Sequence, residues 1–535
     1  MARTSPPTSN GYSSTSSGIF IDSACGWRNV WTSEETSMTE SFETRTRREF
    51  LRYCGATALL MTRFAEAWAE EPGSAGAAAT ERALRALAED LEGDLLLPVD
   101  PLFEPARQVG WNVMLPERRP DLIVRAASQA DVVRTLAFAR DQQRRVAVRG
   151  GGHSWCASAV RAGGVMLDLG RFNSLSIDPS AGTALVGPTV RGTEFLRALV
   201  PHGLMFPVAY CPTVPLGGFL LNGGNGLNYN RWGSACSHVL AIDLVLADGR
   251  ELTVSNEVEP DLFWAARGAG PGFFAVATRF HVALRPLPRA VTLSSFDFPL
   301  EQAATAYRLA DDLSASLARD AMLAVGVKTA GPGTPAAGQV VVNVLGIAFA
   351  DTSDQATTLL APLNGDPRVQ SALTSLVNAP TDLNGVHGAV GAALPGGHRY
   401  LADNIWSNQP LATVLEGMAE HYAQAPSAAS NLMVPCFHPE FALEGTAHSM
   451  WGRNLVYQYA LWTDPTTDER NRAWHDGAMA MLDPHGVGRY VGEADLTRSR
   501  DSARECYAPA AWERLRALRA TYDPDGLFFD YLGMA

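Results

Sequence analysis

Apolar positions recur along this chain with two periods. Short runs of valine, isoleucine and leucine at 122–126, 146–149, 165–169, 184–187 and 240–247 predict strands bounded by Gly, Asp and Asn. Between them, 128–142 and 191–200 space their apolar residues by three and four and predict helices. Ser128 followed by Asp131 marks a helix start, a capping hydroxyl with an acid in the first turn. Asp248-Gly249 predicts a tight hairpin from 240–247 into a strand over 251–254. Upstream, 80–87 begins a helix. Pro286-Leu287-Pro288 marks a change of character. Beyond it, helices are predicted at 302–317 and 356–363 and a Val-rich strand at 339–349. The mixture continues through 411–423, 454–462 and 469–481, with no internal repeat. Interleaved helix and strand predict a mixed α and β fold.

At 535 residues the length prior is about three domain-sized units. With 46% hydrophobic and 19% charged residues, a large core can form. The net charge of −13 argues against nucleic acid or an anionic membrane surface as partner. Seven cysteines are scattered, with no CxxC pair and no Cys/His metal spacing, so no metal site is expected.

The N-terminal stretch differs from the rest. Residues 1–37 are rich in Ser and Thr and lack periodic apolar positions, which predicts disorder. Arg47-Arg48, the apolar run 53–62 and the small residues around Ala65, Ala67 and Ala69 follow the order of a twin-arginine export signal. A start at Met38 puts the arginine pair near the N-terminus. The apolar run is too short to span a bilayer. The expectation is a leader and signal over 1–69, a linker over 70–79, and an exported soluble protein. A basic amphipathic helix is the alternative reading, leaving a cytoplasmic protein.

Two motifs carry the chemistry. Arg149-Gly150-Gly151-Gly152-His153-Ser154 follows a predicted strand. Three glycines remove every Cβ from that turn, so backbone N–H groups can approach a flat or anionic ligand. Cys211-Pro212-Thr213-Val214 runs into Gly217-Gly218 and then Gly223-Gly224-Asn225-Gly226. Neither motif is a dinucleotide G-x-G-x-x-G opening a helix, nor a P-loop. Taken alone, the first reads equally as a tight turn with a satisfied histidine, and Cys211 as an inert buried thiol.

Together these residues resemble the covalent flavoprotein oxidases with a PCMH-type FAD domain, in the berberine-bridge-enzyme-like group. Trp111-Asn112, the loop 264–274 and the C-terminal stretch 522–528 are similar to further segments of that family. The resemblance covers roughly 80–535. It implies an α+β fold: a PCMH-type FAD-binding domain over 80–288, an α/β substrate (cap) domain built on an antiparallel sheet over 289–488, and a C-terminal segment over 489–535 returning to the FAD domain. It implies FAD bound covalently through His153 and Cys211. It also places Arg149, Gly150, Gly151, Gly152, Ser154, Pro212, Thr213, Gly217, Gly218, Gly223, Gly224 and Gly226 at the cofactor. The expected partners are a small-molecule substrate and oxygen. Three positions depart from the family: Pro215 replaces a glycine, Asn222 replaces a glycine and is expected to tolerate positive φ, and Leu216 stands where Val is common. In the family that last site borders the oxygen path, so a bulkier residue there points toward a dehydrogenase.

A flavin oxidase also needs a base. Tyr490-Val491-Gly492-Glu493 lies where sugar-oxidising relatives carry a catalytic tyrosine at the Glu493 position. A buried carboxylate with raised pKa can do the same work. Read as a strand, this segment puts Glu493 and Asp495 on one face and Tyr490 on the other. The alternatives are Glu493 as a solvated strand residue or in an ion pair with Arg489 or Arg453, and a base at His398 or Tyr400. The leading reading is an oxidase acting on an alcohol, hemiacetal or amine. A dehydrogenase using another acceptor and a non-catalytic flavin-binding protein are the alternatives.

Overall fold

The computed structural model describes residues 75–108, 110–438 and 445–534. The leader over 1–69, with its expected export signal, lies outside the described residues. The first described helix, Ala75–Asp90, starts inside the stretch read as a linker. Its alanines are the strongest helix formers, and they carry the helix through Gly76.

Strands β1 (Asp94–Leu96), β2 (Leu122–Arg125), β3 (Val146–Arg149) and β4 (Val165–Asp168) form a sheet in the order β1-β2-β4-β3. β2, β4 and β3 run parallel. Parallel neighbours need a crossover, and the helix Gln129–Asp141 supplies it between β2 and β3. The predicted cap forms: the Asp131 amide donates to Ser128 Oγ at 3.3 Å. The chain's C-terminal end adds to the β3 edge, with Val146 N–H donating to Leu527 O at 2.7 Å and Phe529 N–H to Val146 O at 3.0 Å.

The chain continues through β5 (Leu175–Asp178), β6 (Thr183–Val186), β7 (Leu204–Met205), β8 (Val239–Leu246), β9 (Glu251–Ser255), β10 (Ala275–Ala283) and β11 (Arg285–Pro286). An antiparallel sheet takes the order β5-β6-β10-β8-β9, and β7 pairs with β11. The predicted hairpin joins β8 to β9, with Gly249 at φ +88°.

Seven strands make the third sheet: β12 (Ala290–Phe298), β13 (Ala321–Thr329), β14 (Val340–Ala350), β15 (Thr374–Thr381), β16 (Arg399–Ser407), β17 (Asn431–Cys436) and β18 (Asn454–Trp462). Their order is β15-β12-β14-β13-β17-β18-β16, antiparallel throughout. Helices Ala303–Ser314, Ser353–Asn364 and Asp468–Leu482 pack on it. Tyr307, Leu313, Trp406 and Trp474 belong to its core. The α+β class and the antiparallel cap sheet are therefore as expected.

The stretch 411–423 is two short helices, Leu411–Val414 and Met418–Ala423, separated at Gly417 with its φ of +74°. The reading of 490–495 as a strand is corrected: these residues form no strand. The Glu493 amide donates to Tyr490 O at 3.2 Å, closing a turn over Val491 and Gly492.

Candidate active site

β3 delivers Arg149 to the mouth of the glycine turn. The guanidinium is committed to the protein: it pairs with Asp168 at 2.7 Å and donates to the Ala106 carbonyl. What this segment offers a ligand is therefore its backbone. Gly150, Gly151, Gly152, His153 and Ser154 line a cavity of about 250 Å³. A Cβ on Gly151 would fall 2.0 Å from Pro215 Cγ, whereas one on Gly150 would meet no atom within 4 Å. Gly151 is thus glycine because Pro215, the departure in the second motif, packs against it.

The second motif is held by main-chain bonds to 188–193. Gly192 N–H donates to Val214 O at 3.0 Å, Leu216 N–H to Val190 O at 2.9 Å and Gly217 N–H to Pro188 O at 2.8 Å. This fixes Cys211 in the cavity wall beside the glycine turn. Cys211 Sγ lies 3.9 Å from His153 Nε2, and Thr213 Oγ1 bonds both, at 2.9 Å to His153 Nε2 and 3.4 Å to Cys211 Sγ. Burial lowers the His153 pKa to about 4, so its ring is neutral near pH 7. Burial raises the Cys211 pKa, which keeps the sulfur a thiol, and the Thr213 hydrogen bond opposes that shift.

The cap sheet supplies the facing wall. β18 contributes Tyr457 and Tyr459, and β17 contributes Met433. The turn 490–493 adds Tyr490 and Glu493. Asn404 on β16 clamps that turn: its Oδ1 accepts from Tyr490 N–H at 2.7 Å and its Nδ2 donates to Tyr490 O at 3.1 Å. Asn112 ties the two walls together, donating from Nδ2 to Trp155 O at 2.7 Å and to Tyr400 O at 3.1 Å.

Glu493 accepts a hydrogen bond of 2.5 Å from the Tyr459 hydroxyl. Burial raises its pKa to about 7, and the Tyr459 hydrogen bond acts in the opposite sense. The ion-pair alternative does not hold: Arg489 pairs with Asp403, Asp483 and Glu505, and Arg453 lies beside Asp311. Burial also raises the pKa of Tyr490.

The structure thus brings nine of the expected cofactor residues to one cavity: Arg149 to Ser154, Cys211, Gly217 and Gly218. Pro212 and Thr213 are not lining residues, although the Thr213 hydroxyl bonds both His153 and Cys211. Gly223, Gly224 and Gly226 do not line the cavity; they pack the loop. A Cβ on Gly223 would strike the His448 ring at 2.2 Å, one on Gly224 would meet Ala235 Cβ at 2.8 Å, and one on Gly226 would meet Pro207 O at 2.5 Å. Positive φ falls on Gly223 and Gly224, while Asn222 sits at −85° and needs no such tolerance. His398 is outside the cavity wall, with Nδ1 at 3.1 Å from Gly396 O. Tyr400 is fully buried and its hydroxyl donates to Pro395 O. Tyr457 and Tyr459 went unread in the sequence, although period-two spacing on the predicted strand 454–462 puts both on one face.

Residues 120–255 match the family model of an FAD binding domain. FAD-linked oxidoreductase penO of Penicillium crustosum is 31% identical over 307 residues, covering 57% of this chain and 67% of that protein. The chain belongs to the berberine-bridge-enzyme-like FAD-linked oxidoreductases. FAD-linked oxidoreductase janO of Penicillium janthinellum is 28% identical over 428 residues, 79% of this chain and 93% of that protein. Among solved structures, 6-hydroxy-D-nicotine oxidase from Arthrobacter nicotinovorans has a TM-score of 0.72 at 24% identity, over 83% of this chain and 98% of its own. A berberine-bridge-enzyme-like protein of Physcomitrella patens has a TM-score of 0.71 at 18% identity, over 84% and 99%. The protein is therefore an FAD-dependent oxidoreductase.

The residues present fit that cofactor. Tyr210 OH, Asn222 Oδ1, Asn225 Oδ1 and Trp155 Nε1 belong to wall residues, are buried, and have no partner among the described residues. Buried polar atoms of this kind call for a polar ligand. Gly218, like Gly150, leaves the space beside its Cα clear to 4 Å.

Proposed function

We propose that this oxidoreductase is an oxidase, taking a hydride from an alcohol, hemiacetal or amine carbon onto FAD held by two covalent bonds, through His153 and Cys211, with oxygen as acceptor. The observation that carries the reading is convergence: two nucleophilic side chains from separate loops meet at 3.9 Å in one cavity that Glu493 also lines. A neutral imidazole keeps a lone pair free to bond carbon, and burial holds His153 in that form. FAD supplies the electron sink when bound. The chain's own part is positioning and proton transfer. Glu493, with its pKa near 7, takes the proton from the substrate's hydroxyl or amine, help worth about 10²–10⁴ in rate. Tyr459 fixes the carboxylate by its hydrogen bond.

The dehydrogenase alternative rested on Leu216. That side chain is 1% exposed and stands between Pro215 and Gly217, both of which line the cavity, and reoxidation by air distinguishes the two acceptors. The test is intact mass after denaturation. FAD mass is expected on the wild type and on His153→Ala and Cys211→Ala singly, and is lost only in the double variant. Acid precipitation that leaves the pellet colourless sinks the two-bond reading. Anaerobic reduction followed by air is expected to restore the oxidised spectrum promptly.

A further inference from the structure

Cys211 is a buried thiol, 8% exposed, and its S–H proton has to leave before the sulfur bonds carbon. Its side-chain partners among the described residues are His153 Nε2 at 3.9 Å and Thr213 Oγ1 at 3.4 Å. The imidazole is a poor acceptor for that proton. Burial lowers its pKa to about 4, and 3.9 Å is long for an S–H···N contact. Thr213 is placed differently. The residue is exposed to solvent, and its hydroxyl bonds the sulfur on one side and His153 Nε2, at 2.9 Å, on the other. A hydroxyl accepts on a lone pair while it donates its own proton. Thr213 therefore links a buried thiol to water.

The two attachment residues depend on Thr213 unequally. Burial raises the Cys211 pKa, the Thr213 hydroxyl and then its backbone N–H oppose that rise, and Glu493 adds to it. Both groups that favour the thiolate thus belong to Thr213. His153 has a second hold. Its ring stacks on Trp111, centroids 4.8 Å apart at 23°, and Trp111 stacks in turn on Tyr400 at 4.0 Å. Removing the Thr213 hydroxyl leaves the imidazole against Trp111 but takes from the sulfur its nearer proton acceptor.

We propose that the Thr213 hydroxyl is the proton outlet of Cys211, needed for the bond from cysteine to FAD and dispensable for the bond from histidine. The proposal rests on the two-bond reading and adds the residue that lets the second bond form. In the step the Cys211 S–H bond breaks, and its proton passes to Thr213 Oγ1 as the threonine's own proton passes to water. A C–S bond forms between Sγ and a ring carbon of FAD, and that carbon gives up its hydrogen as a proton. Two electrons are left on the cofactor. Oxygen, the acceptor of the proposed reaction, takes them with two protons as hydrogen peroxide.

The experiment compares wild type with Thr213→Val, which keeps the shape and removes the hydroxyl, and Thr213→Ser, which restores it. Each flavoprotein is purified, denatured, alkylated with iodoacetamide and digested, and the peptides holding His153 and Cys211 are weighed. In wild type FAD is expected to join the two peptides, and Cys211 to escape alkylation. In Thr213→Val the alkylated fraction of Cys211 is expected to rise at least about tenfold, with FAD kept on the His153 peptide. Thr213→Ser is expected to restore the wild-type pattern. Adding Thr213→Val to His153→Ala is expected to remove the FAD that His153→Ala alone retains. Cys211 as fully attached in Thr213→Val as in wild type overturns the proposal. So does Thr213→Ser as deficient as Thr213→Val, or loss of FAD from both peptides together in Thr213→Val. A wild-type digest with Cys211 free sinks the two-bond reading instead. Iodoacetamide added to the native proteins then judges Thr213: Thr213→Val is expected to slow Cys211 alkylation at least about tenfold, and an equal rate overturns the proposal.

Discussion

Gly151 and Pro215 are a matched pair. The proline ring fills the space a Cβ on Gly151 would need, 2.0 Å from Cγ. Gly151→Ala is expected to cost about 1–3 kcal/mol by overpacking, and Pro215→Gly in the same chain to recover most of it. Denaturant melts of the two single variants and the double variant measure that coupling. Glu493 carries a sign that can be worked out. Its folded pKa of about 7 lies above the ordinary 4.5, so the folded state holds its proton longer than the unfolded chain. The resulting stability is full below about 4.5 and is lost as pH rises through about 7. Glu493→Gln escapes that loss, so its melting temperature relative to wild type is expected to rise between pH 5 and pH 8. The proposed role of Glu493 as base ties the rate to the same ionisation. Turnover is expected to climb with pH through about 7, and Glu493→Gln removes that limb along with about 10²–10⁴ of the rate.

At the scale of elements, the tail that pairs with β3 matters most. Phe529 is 6% exposed, lies 4.3 Å from the Arg145 guanidinium and 5.4 Å from that of Arg161, and lines the cavity. Phe529→Ala is expected to cost about 3–5 kcal/mol, read by urea melts, and to loosen the glycine turn beside β3. Strands followed by helices were legible here because each element announced its own ends. Ser128 capped where a hydroxyl and an acid stood at the right spacing, and Asp248-Gly249 turned where positive φ was needed. β16 was not legible. Its sequence places Asp403 and Asn404 in mid-strand, and both are buried, which breaks the period-two signal. Their partners, Arg489 and the Tyr490 backbone, lie more than eighty positions away, where no local window reaches.

Across the whole molecule, Arg489 joins the cap sheet to the segment carrying Tyr490 and Glu493. It bonds Asp403 at 2.8 Å, Asp483 at 2.7 Å and Glu505 at 2.9 Å. Burial raises the Asp403 pKa to about 6, and Arg489 pulls it back. Arg489→Met leaves that carboxylate buried without its cation. A loss of about 3–5 kcal/mol is expected, larger at pH 8 than at pH 5, because only the ionised carboxylate is stranded. Thermal melts at both pH values read it. The turn over 490–493 should shift with it, so a fall in turnover is expected to accompany the fall in stability.

The sequence by itself determined the cofactor end of this protein. Glycines that bare a backbone, a histidine after one loop and a cysteine before the next are local statements, and local chemistry made them readable. Only the tertiary structure assembled the wall proposed to face the substrate. Tyr457, Tyr459, Glu493 and the absence of a cation beside that carboxylate among the described residues come from β18 and a distant turn that meet across the cavity. Which charges find partners is a property of packed elements, and no spacing along a chain encodes it.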